Sequence, residues 1–151
     1  MFEQFAASLR SLSRGENQGG FTPRRGQSRL IEWMLDHVET AARLCVRWPG
    51  GYGKTVGIAL CYMILRQFGR VNRMLVVVAN DQQRAQFRRD FPATCRRIGL
   101  SIRGDCVWEF DRTARAVRTS MLNRCEVFVV TIQMVRDRKS TRLNSSHLVI
   151  S

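Results

Sequence analysis

The chain has 151 residues, 44% of them apolar, with 25 Lys and Arg against 12 Asp and Glu and a formal net charge of +13. That length can bury one ordinary core but not two full domains. Its longest mostly apolar run, residues 56–65, is about half of the ~20 residues a membrane span requires.

The start, Met1 to Leu12, carries acidic Glu3 and no basic lead, so a soluble, unexported, cytoplasmic protein without membrane partners is expected. Cys45, Cys61, Cys95, Cys106 and Cys125 form no Cys-x-x-Cys pair, and the histidines are His37 and His147. That usage fits free thiols in a reducing compartment rather than a zinc site. The cationic excess favours phosphate-rich partners through counterion release. A coding bias toward Arg would also produce it, because the arginines are spread along the whole chain.

Taken in order, Phe2, Phe5, Ala6, Leu9 and Leu12 recur at helical spacing and predict a leading helix. The polar stretch Ser13 to Gly20 reads as a linker. Leu30, Ile31, Met34, Leu35 and Val38 define a helical face over Gln27 to Val38, and the apolar run Leu44 to Val46 predicts a first strand. Val56 to Leu65 is apolar nearly all round, as expected of a helix covered by a sheet, and Gly69 should end it.

Met74 to Ala79 is a continuous β-branched run, the pattern of a strand buried on both faces of a parallel sheet. Asn80 and Asp81 offer caps for a helix to about Phe91, before Pro92. A short strand at Leu100 to Arg103, a helix at Thr113 to Asn123 and a buried strand at Val127 to Thr131 complete the pattern. This alternation predicts an α/β domain with a doubly wound parallel sheet.

Between the first strand and the apolar helix lies WPGGYGKT, Trp48 to Thr55. The phosphate-loop pattern G-x-x-x-x-G-K-[ST] wants glycine where Trp48 stands, but the chemistry of the rest fits. Gly50, Gly51 and Gly53 let the backbone curl so that successive N–H groups turn inward around a phosphate, with Tyr52 carried between them. The helix that follows adds its own free N–H groups and dipole. Lys54 would neutralise the β and γ phosphates of ATP, and the Thr55 hydroxyl would ligate Mg²⁺, making these two the catalytic candidates. The chain has only two lysines, Lys54 and Lys139. A compact ammonium at this position suits a loop too tight for a guanidinium fork.

WPGGYGKT resembles motif I of superfamily 2 helicases of DEAD/DEAH type, with Pro49 and Gly51 to Thr55 fitting and Trp48 and Gly50 departing. FTPRRGQ, Phe21 to Gln27, is similar to the adenine-reading Q motif. Gln27 would there hydrogen-bond the base edge and Phe21 stack on it; an ordinary helix start is the alternative reading. MLVVVANDQQRAQF is similar to motif Ia, with Ala79 and Asn80 replacing Pro-Thr, Gln83 replacing Leu, and Gln86 and Phe87 matching.

In the family the motif Ia turn touches the nucleic-acid backbone, which makes Asn80 and Asp81 candidates beside their capping role. VFVVTIQMV resembles the later strand that ends in a second backbone-contacting turn, at Thr131 and Gln133. The resemblance covers residues 21–136 and implies the N-terminal part of a RecA-like, P-loop ATPase domain of helicase or restriction-enzyme ATPase type. It implies ATP and Mg²⁺ as cofactors and nucleic acid, DNA ahead of RNA, as partner.

No adjacent Asp-Glu pair occurs in the chain, so the carboxylates that hold Mg²⁺ for turnover are missing and the chain alone is expected to bind ATP without hydrolysing it. From Asp137 the sequence reads DRKSTRLNSSHLVIS, whose DRKSTRLNSSH resembles the conceptual translation of a sequencing-library adapter; a genuine solvated tail is the alternative reading. Residues 1–20 are thus expected to be a leading helix and linker, 21–136 the partial ATP-binding domain and 137–151 an artefactual tail. Two other functions fit parts of the pattern: a P-loop ATPase of AAA+ type, and a basic nucleic-acid-binding module whose glycine loop is incidental.

Overall fold

The computed structural model describes residues 2–14, 16, 21–40, 43–102, 107–109 and 123–136. The chain divides into two compact units, Met1–Val71 with Thr94–Leu100, and Asn72–Ala93 with Ser101–Ser151.

The first unit is helical. Helix α1 spans Phe2–Ser13, α2 spans Arg25–His37 and α3 spans Lys54–Gln67, so all three expected helices form. Helices α1 and α2 pack together, and Leu9, Leu12, Leu30, Ile31 and Met34 on them are buried. On the rim of that contact Arg10 pairs with Asp36 at 3.2 Å and the Ser13 hydroxyl donates to Glu32 at 3.1 Å. Helix α3 buries residues on several sides, including Leu60, Tyr62 and Ile64, as its all-round apolar sequence predicts. Its end is a Schellman turn: Gly69, at φ +66, donates to the Arg66 carbonyl and Arg70 donates to the Leu65 carbonyl. The Arg70 guanidinium then caps the end of α2 at the carbonyls of Val38 and Glu39.

The strand expected at Leu44 to Val46 is not formed. Residues 43–49 carry no strand and alternate between exposed and half-buried. A three-residue apolar run flanked by Arg43 and Arg47 satisfies a strand pattern, but a strand also needs a ladder partner, and none pairs with it among the described residues.

The second unit holds a three-stranded sheet in the order β1-β3-β2, with both pairs parallel; β1 is Met74–Val78, β2 is Val107–Glu109 and β3 is Val127–Thr131. Met74 stands opposite Val127 and Val78 opposite Thr131. The central strand β3 is buried at every position, whereas β1 buries Met74 and Val76 and leaves Leu75, Val77 and Val78 half-buried. Burial on both faces, expected of both strands, therefore holds for the central one and not for β1, which lies at the edge of the described sheet. Strand β2 was not anticipated: the strand expected from Leu100 is absent over residues 100–102, and Arg103 lies outside the described residues. The helix expected at Thr113 to Asn123 falls almost wholly outside them.

Helix α4, Asp81–Arg97, runs through Pro92 instead of stopping before it. Proline forfeits one backbone bond, the one its N–H would make to the Arg88 carbonyl. The helix nevertheless continues, because its apolar stripe Phe87, Phe91 and Cys95 is buried on both sides of the proline, with the two phenyl rings stacked at 4.7 Å. Helix α5, Ile132–Arg136, follows β3 directly. The architecture is mixed α/β with a small parallel sheet; helices winding over both of its faces are not among its observed features. No described helix is long and apolar enough to cross a membrane.

Candidate nucleotide-binding site

The glycine loop leads straight into α3, whose N-cap is Gly53 in a left-handed conformation at φ +87. Gly51 is left-handed too, at φ +72. Side chains avoid such conformations, so glycine is required at both positions. The first helical bond runs from the Gly57 N–H to the Gly53 carbonyl. By helix geometry the N–H groups of Lys54, Thr55 and Val56 then lack acceptors within α3. A β-carbon at Gly50 or Gly51 would meet nothing within 4 Å, so the loop faces open space there. Lys54 is exposed, Thr55 is half-buried, and Lys54 has no carboxylate partner among the described residues.

The carbonyls of the loop are held from outside. The Arg24 guanidinium donates to the Gly51 carbonyl at 2.8 Å, and the Gln27 side-chain amide donates to the carbonyls of Tyr52 and Gly53, at 3.4 Å each. In a trans peptide the C=O and N–H point in opposite directions. Drawing the Tyr52 and Gly53 carbonyls toward Gln27 therefore aims the N–H groups of Gly53 and Lys54 the other way. This is the arrangement an anion-binding nest requires, and it is the observation by which the residues present fit a bound phosphate group.

Tyr52 fastens the loop to α2 a second time. Its hydroxyl accepts from the Gly26 N–H at 3.2 Å, and Arg24 lies over its ring at 5.6 Å. Trp48 packs beside it with ring centroids 5.6 Å apart.

Gln27, expected to meet the adenine edge, is 3% exposed. Its Oε1 accepts from the Arg24 N–H at 2.9 Å while its Nε2 reaches the loop. It reaches back to the helix N-cap as the third residue of a capping box does, and its other end holds the glycine loop. Phe21 is half-buried, with the Arg97 guanidinium over its ring at 5.6 Å. The sequence singles out Gln27 and not Arg24, although Arg24 neighbours it on the same turn and also holds the loop.

The other site candidates belong to the second unit, where the register Val78↔Thr131 puts the turns after β1 and β3 side by side. Asn80 is the N-cap of α4, its Oδ1 accepting from the Gln83 N–H at 2.9 Å, and the Gln83 side chain accepts from the Ala79 N–H at 3.1 Å. Asp81 is exposed and pairs with Arg84 at 3.1 Å. Thr131 is 3% exposed, and its hydroxyl accepts from the Met134 N–H at 3.4 Å. Gln133 is exposed.

Cys45, Cys61, Cys95 and Cys125 are free thiols, the last three buried. Burial pushes Cys61 and Cys95 up to about 12.

A glycine loop at a helix start, with a lysine and a threonine in the first turn of that helix, is an arrangement that suits a phosphate group. The family model of the type III restriction enzyme res subunit matches residues 20–150, and the chain belongs to that family, whose domain is a helicase superfamily 2-like ATPase domain. The match runs past Arg136. A comparison with individual curated proteins gives no match.

Proposed function

We propose that the chain is the ATP-binding front part of a helicase or translocase that moves along nucleic acid, with DNA favoured over RNA. The observation that carries this reading is the held loop: consecutive carbonyls of Gly51, Tyr52 and Gly53 turned onto Arg24 and Gln27. Gly50 to Thr55 would then surround the phosphates of ATP, with the Lys54 ammonium neutralising their charge and the Thr55 hydroxyl ligating Mg²⁺. The bound Mg²⁺ supplies charge neutralisation across the phosphates. Arg24, Tyr52 and Gln27 act as positioning residues, and Phe21 would line the base side.

Nucleic acid would be contacted at the adjoining turns of the second unit. There the carboxylate of Asp81 would repel a phosphate, so that turn would engage the backbone through main-chain N–H groups and Asn80, with Thr131 shaping the second turn. The DNA-acting restriction enzymes for which the family is described favour DNA as the track. The chain has no adjacent acidic pair, and on this reading it binds ATP without hydrolysing it. In the protein carrying the complete ATPase, Lys54→Ala should abolish nucleic-acid-stimulated ATP hydrolysis; turnover at the unsubstituted rate would reject the assignment.

A further inference from the structure

We propose that a groove on the first unit, between α2 and residues 44–49, is a binding track for single-stranded nucleic acid; it shares Trp48, Pro49 and Tyr52 with the first half of the glycine loop. The groove is open, with a volume of about 640 Å³, and its walls include Arg25, Arg29 and Trp33 on one side and Arg47, Trp48 and Tyr52 on the other. Arg25, Arg29 and Trp33 follow one another at steps of four residues and form a single stripe of α2.

Among the described residues, no carboxylate lines the groove. The acidic residues of α2 point elsewhere, Glu32 to Ser13 and Asp36 to Arg10. Like charges four apart on a helix repel, and none of the groove arginines has an ion-pair partner among the described residues. One face of the Trp33 ring is backed by the His37 imidazole, stacked at 4.5 Å and 8°.

Cations on both walls select a polyanion, and aromatic rings between them select unpaired bases, since only an unstacked base offers its face. A mononucleotide gathers its phosphates at one end. Arginines distributed along a groove, with Arg25 and Arg29 about 6 Å apart along the helix axis, match a strand that carries a phosphate at every step. A duplex would hide the base faces and leave Trp33 without a base to stack on.

The test is fluorescence anisotropy of a labelled deoxythymidine oligomer titrated with the full chain at several salt concentrations. Arg25→Gln with Arg29→Gln should weaken binding about tenfold and flatten the salt dependence by roughly 1 to 1.5 log units per log unit of salt. Trp33→Ala should weaken it about fivefold or more, and Trp33→Phe should restore most of the loss. The charge-matched control, Arg73→Gln with Arg124→Gln, alters exposed arginines outside the groove and should have little effect. Arg25→Lys with Arg29→Lys should keep most of the affinity. Equal weakening by the control pair would show diffuse attraction and overturn the proposal. Displacement of the oligomer by a saturating Mg²⁺-bound ATP analogue would assign the groove to the nucleotide and overturn it as well. Because the oligomer is measured without nucleotide, failure of the phosphate-loop reading would leave this result standing.

Discussion

Trp48 lies against Gly57: a β-carbon on Gly57 would sit 2.5 Å from the Trp48 Cζ3 and 2.8 Å from Cη2. Gly26 gives way on the other side, where a β-carbon would fall 3.1 Å from the indole nitrogen and 2.8 Å from the Tyr52 ring. The bulkiest side chain in the protein alphabet thus occupies a loop position where the phosphate-loop pattern wants glycine. Two glycines, one on α2 and one on α3, make the room for it.

Gly57→Ala should therefore destabilise the chain by about 1–3 kcal/mol through overpacking in urea unfolding, although alanine is the better helix former. Trp48→Ala in the same chain should recover most of that loss, since the two side chains contend for one volume. Additive effects of the two substitutions would deny the contact.

The hold of α2 on the loop separates two roles for Gln27. If the residue props the loop, Gln27→Ala should weaken ATP and GTP binding by the same factor, at least about fivefold given the loss of a buried donor. A base-reading role predicts loss of ATP over GTP preference instead. Arg24→Ala, which removes the 2.8 Å bond to the Gly51 carbonyl, should weaken both nucleotides about fivefold.

Asn80→Ala should cost about 1 kcal/mol through loss of the α4 cap, and Asn80→Ser should restore it. Nucleic-acid affinity measured in the same two variants distinguishes capping from contact: a contact role requires Asn80→Ser to remain weak in binding while its stability returns.

The buried thiols fix a pH dependence. Cys61 and Cys95 stand at about 12 in the folded chain against an ordinary value of 9.0, so the folded state holds its protons more tightly than the unfolded one. Their contribution to stability is complete below pH 9 and is lost as pH rises toward 12. Urea midpoints should fall over that range, less steeply with Cys61→Ala and Cys95→Ala. In a Cys106→Ser chain at pH 8, a thiol reagent should modify Cys45 alone before denaturation and four cysteines after it.

What the sequence made legible was whatever short-range pattern controls. The period of α2, the run Val127–Thr131 and the Schellman glycine at 69 depend on neighbours a few residues away. Leu44 to Val46 read as a strand because three apolar residues satisfy that pattern without saying whether a partner strand lies alongside. Pro92 read as a stop because the burial of Phe91 and Cys95 on either side of it is a tertiary fact. Val107–Glu109 offers three residues, one of them acidic, and no alternation to notice.

At the candidate site, the loop glycines, Lys54 and Thr55 were legible as a phosphate-loop pattern from residue type and order alone. The inward commitment of Gln27 and the grip of Arg24 depend on contacts across more than twenty positions, visible only once the chain is folded.

The most direct measurement is titration of the chain with a fluorescent ATP analogue, with and without Mg²⁺. Saturable, Mg²⁺-dependent binding is expected, weakened at least about tenfold by Lys54→Ala through loss of its charge-assisted bonds to the phosphates. With Thr55→Ala the Mg²⁺ dependence should disappear. Absence of saturable binding, or a Lys54→Ala chain that binds like the unsubstituted one, would contradict the assignment of residues 50–55 to the phosphates.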